Sequence, residues 1–197
     1  MMGVDLAVAL LRATVRFLLR GIDHLFHWHV QAKPLGPILM VGHARHRGST
    51  KVFADGTEIV DGDVIGSFHL NNLVAAGLTG RSARAAALQF AKQLRESLEI
   101  MALKARDDPV FSQYKVYRSV TWIPPHGARV GFVSEPLPPG LRRSLLAAFF
   151  RVVIWGIAPA EETRMLARLE PTTYWLTRKE LIRQFSKEEE ELSGTPS

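Results

Sequence analysis

The chain opens on a nearly continuous apolar run in which polar positions recur at helical spacing. Over residues 1–29, Asp5, Arg12, Arg16, Arg20 and Asp23 fall within a sector of about 80° at ~100° per residue. Nearly every other position is Leu, Val, Ala, Ile, Phe or Trp. The pattern predicts an amphipathic helix with a wide apolar face, bearing Phe17, Phe26 and Trp28, beside a narrow basic stripe. Such a helix either packs against the rest of the domain or lies in a membrane interface with its arginines at headgroup level. Lys33-Pro34-Leu35-Gly36-Pro37 ends it.

The period then changes from helical to alternating. Ile38–Arg45 reads as a strand, and Gly48-Ser49-Thr50 as a turn. Lys51–Ala54 and Thr57–Val60 are expected to pair around a two-residue turn, Asp55-Gly56, a dipeptide suited to positive φ at both positions. Asp61-Gly62 makes the next turn, and Asp63–Leu70 follows as a strand. Val64, Phe68 and Leu70 share one face of that strand, while Asp63, Ser67 and His69 share the other. Together these segments predict a β-meander.

A long central helix follows. Ser82 is its N-cap, Ala83, Ala87, Phe90, Ala91, Leu94, Leu98 and Met101 its buried stripe, and Asp107-Asp108-Pro109 its end. Two strands are expected at Lys115–Ile123 and Ala128–Ser134, then an apolar helix at Leu141–Ile157 behind Pro136–Gly140. A short extended piece, Tyr174–Leu176, precedes a last helix that starts at the capping box Thr177-Arg-Lys-Glu180. This order predicts an α+β fold with a mainly antiparallel sheet packed by the central helix. Residues 1–32 form the amphipathic N-terminal helix, 33–187 a single α+β domain and 188–197 an acidic tail.

Composition narrows the function classes. The 197 residues are 47% hydrophobic and 22% charged, which are globular values, and cysteine is absent. Disulfide frameworks, thiolate metal sites and cysteine nucleophiles are thereby excluded. The net charge is +6, and four of the nineteen acids are Glu188–Glu191, so the rest of the chain carries +10. That balance favours anionic partners: nucleic acid, anionic lipid, or phosphorylated and acidic substrates. The N-terminus lacks the basic n-region of a signal peptide, and the apolar stretch Leu145–Ala158 is interrupted by Arg151 and shorter than the ~20 residues that cross a bilayer. A cytoplasmic protein, peripheral on the inner membrane face, is expected.

Seven histidines include a helical pair, His24 and His27, yet no HExxH or similar ligand pattern is present. No metal and no cofactor are expected. Phosphate-loop, dinucleotide and nucleophile-elbow motifs are missing. Nucleic acid suits the charge, but no RRM, KH or helix-turn-helix pattern supports it. The distinctive segment is the strand ending His69-Leu70-Asn71-Asn72, which places an imidazole and an amide on one face of a strand end. His69 could act there as a general base. Equally, Asn71 and Asn72 could cap the next turn while His69 bonds a carbonyl. No Asp or Ser is tied to His69 by a motif.

The stretch from Asp55-Gly56 through Gly62-Asp63 to His69-Leu70-Asn71-Asn72, the basic helix after it, Tyr117-Arg118-Ser119-Val120-Thr121-Trp122-Ile123 and the late Tyr174–Phe185 segment resemble the YkoP family. Over roughly residues 33–187 the resemblance implies a bacterial domain, found alone or joined to polysaccharide deacetylases, in an envelope polysaccharide or glycolipid context. It implies no reaction. Ser67-Phe68 stands where the family resemblance leads one to expect an acidic–aliphatic pair.

Two functions from different classes follow. The first is a non-enzymatic accessory or binding domain at the membrane face, with anionic lipid and envelope glycan or glycolipid enzymes as partners. The second is a hydrolase or transferase using His69 as general base, with Asn71, Asn72, Asp63 and Arg118 binding an anionic or sugar substrate. A nucleic-acid-binding protein is a further alternative. Arg12, Arg16, Arg20, Phe17 and Trp28, with Arg142, Arg143, Phe150 and Trp155, are expected to form an exposed apolar patch rimmed by arginines. That patch would serve membrane docking or a homodimer interface.

Overall fold

Alternation along the strands decides which residues meet. The computed structural model describes residues 10, 13–15, 17, 21, 32–70, 83–121, 131–157 and 170–186. Within the N-terminal segment, the described residues from Leu10 to Gly21 are helical. The elements then run β1 (Lys33–Leu35), β2 (Leu39–Arg45), β3 (Lys51–Val52), β4 (Glu58–Ile59), β5 (Val64–Leu70), α1 (Ala83–Asp107) and α2 (Pro109–Ser112). They continue with β6 (Val116–Thr121), β7 (Val133–Pro136), α3 (Leu141–Ile157), β8 (Thr172–Thr177) and α4 (Arg178–Phe185).

Among the described residues six strands form one sheet in the order β1-β2-β5-β6-β8-β7, and β3 and β4 form a two-stranded one. Every pair is antiparallel except β5–β6, which is parallel because the chain crosses over through α1 between them. The expected α+β class with a mainly antiparallel sheet and a long central helix is what the chain adopts.

One face of the sheet carries the main core. Leu39 and Val41 of β2, Phe68 of β5, Tyr117 of β6 and Tyr174 and Leu176 of β8 pack with Leu98, Met101, Ala102 and Ala105 of α1 and Leu181 of α4. Each fully buried aliphatic or aromatic side chain contributes about 1.5–3 kcal/mol. Gly66 is the close-approach point on this face. A Cβ there would come 2.3 Å from Tyr117 Cδ1, so only glycine lets the Tyr117 ring cross β5. The opposite face has a smaller core, in which the hairpin residues Phe53 and Ile59 cover Ile65, Val116 and Trp175.

Several expectations are corrected. The β3–β4 hairpin closes through a three-residue loop. Phe53 N–H donates to Thr57 C=O, and Gly56 N–H returns to Phe53 C=O. Ala54 and Asp55 therefore take the centre of the turn, and Gly56 follows at φ +78° as the bulge residue. Asp55 favours this loop because its Oδ1 accepts the Thr57 N–H at 2.8 Å. The strand expected at Ala128–Ser134 is Val133–Pro136 within the described residues, since Glu135 and Pro136 pair with Thr173 and Thr172. Lys33–Leu35, expected only to break a helix, is an edge strand in which Pro34 lies opposite Met40.

The α1 stripe is buried from Leu98 onward and continues to Ala105, whereas Ala87 and Ala91 are exposed. A 25-residue helix is about 37 Å long, more than a seven-residue strand of roughly 23 Å can cover. The last helix starts as expected at Thr177, whose Oγ1 accepts the Glu180 N–H at 3.1 Å. The Glu180 carboxylate does not complete the box; it turns to Arg183 and Gln184.

Candidate functional site

The second face of the sheet gathers the polar chemistry. On β5, Phe68 faces the main core and Ile65 the smaller one, so Ser67 and His69 share the side of Ile65. Arg118 on β6 is in register with Ser67, and Trp175 on β8 is in register with Arg118. The three make a row across adjacent strands, each step about 4.8 Å.

Three kinds of contact order this row. Ser67 Oγ and His69 Nε2 are hydrogen-bonded at 2.9 Å. Arg118 lies over the Trp175 ring with its Cζ 5.6 Å from the centroid, and Lys51 Nζ lies 5.5 Å from the same centroid. Trp175 Nε1–H donates to Glu135 Oε2 at 3.1 Å, and the other Glu135 oxygen pairs with Lys51. The Lys51 charge is thus neutralised where it stands.

Arg118 differs. It is half-buried, and among the described residues no carboxylate or carbonyl accepts from its guanidinium. Burial, and then repulsion from Arg142, lower its pKa. Arg142, exposed in the first turn of α3, likewise has no carboxylate partner among the described residues. A cation–π contact consumes no N–H, so among the described residues the five donors of Arg118 are unused.

The expected site residues are only partly brought together. His69 and Arg118 lie on one face of neighbouring strands. Asp63 stands before the opposite end of β5, six residues from His69 and roughly 20 Å away along the strand. There it accepts from the Val60 N–H and from Lys115 Nζ, both at 3.1 Å, and these bonds hold its carboxyl below the usual carboxylate range. Its role is to close the Val60–Asp63 turn. Asn71, Asn72, Arg12, Arg16, Arg20 and Trp28 lie outside the described residues.

No sequence motif ties a serine to His69. The structure supplies Ser67, two residues earlier on the same strand face. Trp175, Lys51 and Glu135 were also missed. Alternation in Thr172–Thr177 could have turned Trp175 away from Tyr174 and Leu176, but its neighbours depend on strand order.

Of the residues expected in the apolar patch, Phe17 and Arg142 are exposed, and the exposed apolar side chains of α3 are other ones than expected. On α3, Phe149, Phe150 and Trp155 are half-buried and Val153 is buried. Arg143 is tied down by Glu170 and donates to Leu137 C=O at 3.5 Å. What α3 exposes is Leu141 (77%), Leu145 (62%) and Val152 (46%), which share with Ala148 a sector of about 60°. Arg142 and Arg151 flank this stripe, and α3 contains no acid. In the N-terminal segment Leu10 and Phe17 are also exposed.

An open depression of about 440 Å³, lined by Leu103, Lys104, Asp107, Asp108 and Pro109, lies at the α1–α2 junction and includes none of these residues. Among the described residues no cluster of three His, Asp or Glu side chains could hold a metal ion, and no helix is long and apolar enough to cross a membrane. The family model that matches this chain is the YkoP domain, over residues 12–185. No curated protein and no solved structure matches it.

Proposed function

We propose that this chain, which belongs to the YkoP domain family, is a non-enzymatic binding domain that docks on the inner face of the cytoplasmic membrane. The envelope polysaccharide or glycolipid context implied by the family resemblance is where it would serve. One observation carries this reading: the exposed stripe Leu141–Leu145–Ala148–Val152 on a helix with three arginines and no acid. Inserting such a stripe removes apolar surface from water at about 25 cal/mol per Å². Each arginine near an anionic leaflet adds about 1 kcal/mol. The exposed Phe17 and Leu10 supply further apolar surface.

The test is co-sedimentation of the full chain with phosphatidylglycerol vesicles. Binding should weaken with salt, and Leu145→Glu should abolish it without changing the thermal midpoint. A concentration-dependent dimer that ignores vesicles would overturn the reading and assign the stripe to a second copy of the chain.

The Ser67–His69 hydrogen bond favours a second reading, in which a hydrolase or transferase uses His69 as base and Ser67 as nucleophile. Ser67 is itself buried, so any group that meets its hydroxyl has to be small. Fluorophosphonate labelling of Ser67 that disappears in His69→Gln would establish the enzymatic reading over the binding one.

A further inference from the structure

We propose that Arg118, with Ser67 beside it and Arg142 at the rim, forms a site for a phosphate group on the second face of the sheet. This inference is independent of membrane docking. It rests on the charge balance of the Trp175 cluster.

Three charged groups stand at that indole, Lys51, Glu135 and Arg118, and Arg142 acts on the last of them. Lys51 is matched by Glu135, which also takes the Trp175 N–H. Arg118 and Arg142 are unmatched among the described residues, and they lie near enough for Arg142 to disfavour the charge on Arg118. A half-buried guanidinium, Arg118, facing a second and exposed one, Arg142, is costly to leave without an anion between them. A carboxylate satisfies one guanidinium through a bidentate pair, whereas a phosphate monoester carries close to two charges and more acceptor oxygens. The unmatched pair therefore fits a phosphate monoester better than a carboxylate.

Geometry adds orientation and a third donor. The contact with Trp175 limits the freedom of the Arg118 side chain and itself consumes none of its N–H groups. Ser67 is the register partner of Arg118 on the next strand. When His69 Nε2–H donates to Ser67 Oγ, the serine proton is free to turn to a phosphate oxygen. His69 thus acts as a positioning residue for Ser67. The phosphate could be that of a soluble ester or of a lipid headgroup, since the same oxygens are recognised in either.

The experiment is calorimetric titration of the full chain with glycerol 3-phosphate against a chloride background. Saturable binding is expected, weakened at least tenfold by Arg118→Gln and unchanged by Arg106→Gln, an exposed site on α1. Equal binding in Arg118→Gln, equal loss in Arg106→Gln, or no saturation would overturn the proposal. Should Arg118→Gln fail to fold, Arg118→Lys keeps the charge without the guanidinium fork, and several-fold weakening is expected. The unsubstituted chain gives a further readout: the Arg118 Nε–Hε resonance should shift saturably with glycerol 3-phosphate, and a fixed resonance would refute the site. Vesicles containing phosphatidic acid distinguish the sources. If Arg118→Gln also lowers vesicle binding, the phosphate belongs to a lipid; if only soluble-ester binding falls, it belongs to a free ester. Leu145→Glu should leave glycerol 3-phosphate binding intact, so failure of docking and failure of this site are separable.

Discussion

Thr177 and Asp55, 122 positions apart, are joined by a hydrogen bond from the Thr177 hydroxyl to Asp55 Oδ2. The same hydroxyl oxygen accepts the Glu180 N–H. One buried side chain therefore starts the last helix and fastens the β3–β4 loop to it. Thr177→Ala removes both bonds and should lower unfolding free energy by about 1–2 kcal/mol in urea denaturation. In a double-mutant cycle with Asp55→Ala the two losses should be clearly non-additive. Additive losses would mean that the hairpin and the helix are fastened elsewhere.

Acid should loosen the same contact. Burial works to raise the Asp55 carboxyl, but hydrogen bonds from Thr177 and Thr57, with Lys179 nearby, outweigh it and hold the pKa below its usual value. A folded pKa below the unfolded value of about 3.9 favours folding when the carboxyl is ionised. The contribution is present above roughly pH 4 and disappears as pH falls through the lower folded value. Asp63 should titrate in the same sense. Urea midpoints measured from pH 6 to pH 2 should fall over this range, with a shallower decline in Asp55→Asn.

Gly66→Ala tests the crossing of β5 by Tyr117. The added methyl would meet the Tyr117 ring at 2.3 and 2.7 Å, and that ring is held by its hydroxyl donating to Phe111 C=O at 3.1 Å. Overpacking of this kind costs about 1–3 kcal/mol. Equilibrium unfolding of Gly66→Ala should show it, and Tyr117→Phe should leave the methyl clash in place. A neutral Gly66→Ala would mean that the ring has room to move.

Glu135 is the acid of the Trp175 cluster, so its removal should act on charge as well as stability. Glu135→Gln leaves Lys51 without its carboxylate and increases the positive field beside Arg118. Glycerol 3-phosphate should then bind about two- to fivefold more tightly, a change of ~0.4–1 kcal/mol typical of one partly exposed charge. Weaker or unchanged binding in the same titration would count against an electrostatic role for this cluster.

Local signals predicted the local structure. The span Leu141–Ile157, the cap at Thr177 and the two faces of β5 follow from short-range periodicity and capping chemistry, and all are present as expected. What periodicity cannot supply is the neighbour across a strand. Trp175 meets Arg118 only because β8 inserts between β6 and β7, a pairing that no short stretch of sequence encodes. The loop at Asp55-Gly56 differed for a different reason: the dipeptide permits a two-residue turn, but the Asp55 side chain bond to Thr57 favours the longer one. Asp63 shares an alternating face with His69, but the six-residue spacing itself puts the two roughly 20 Å apart along the strand.

The short parallel ladder between β5 and β6 is also the seam between two halves of the chain. Strands β1, β2 and β5 pair among themselves, as do β6, β7 and β8, and the halves are joined in register at Gly66 with Tyr117 and Ser67 with Arg118. Pairing within each half joins strands on the same side of the α1 crossover, whereas the seam must close across that crossover. Folding order should therefore place the seam late, after both halves have found their own partners. Ser67 and Arg118 stand on its two sides, so the phosphate-binding pair would come into existence only at the end of folding, and a chain with either half unformed would have no such pair to offer.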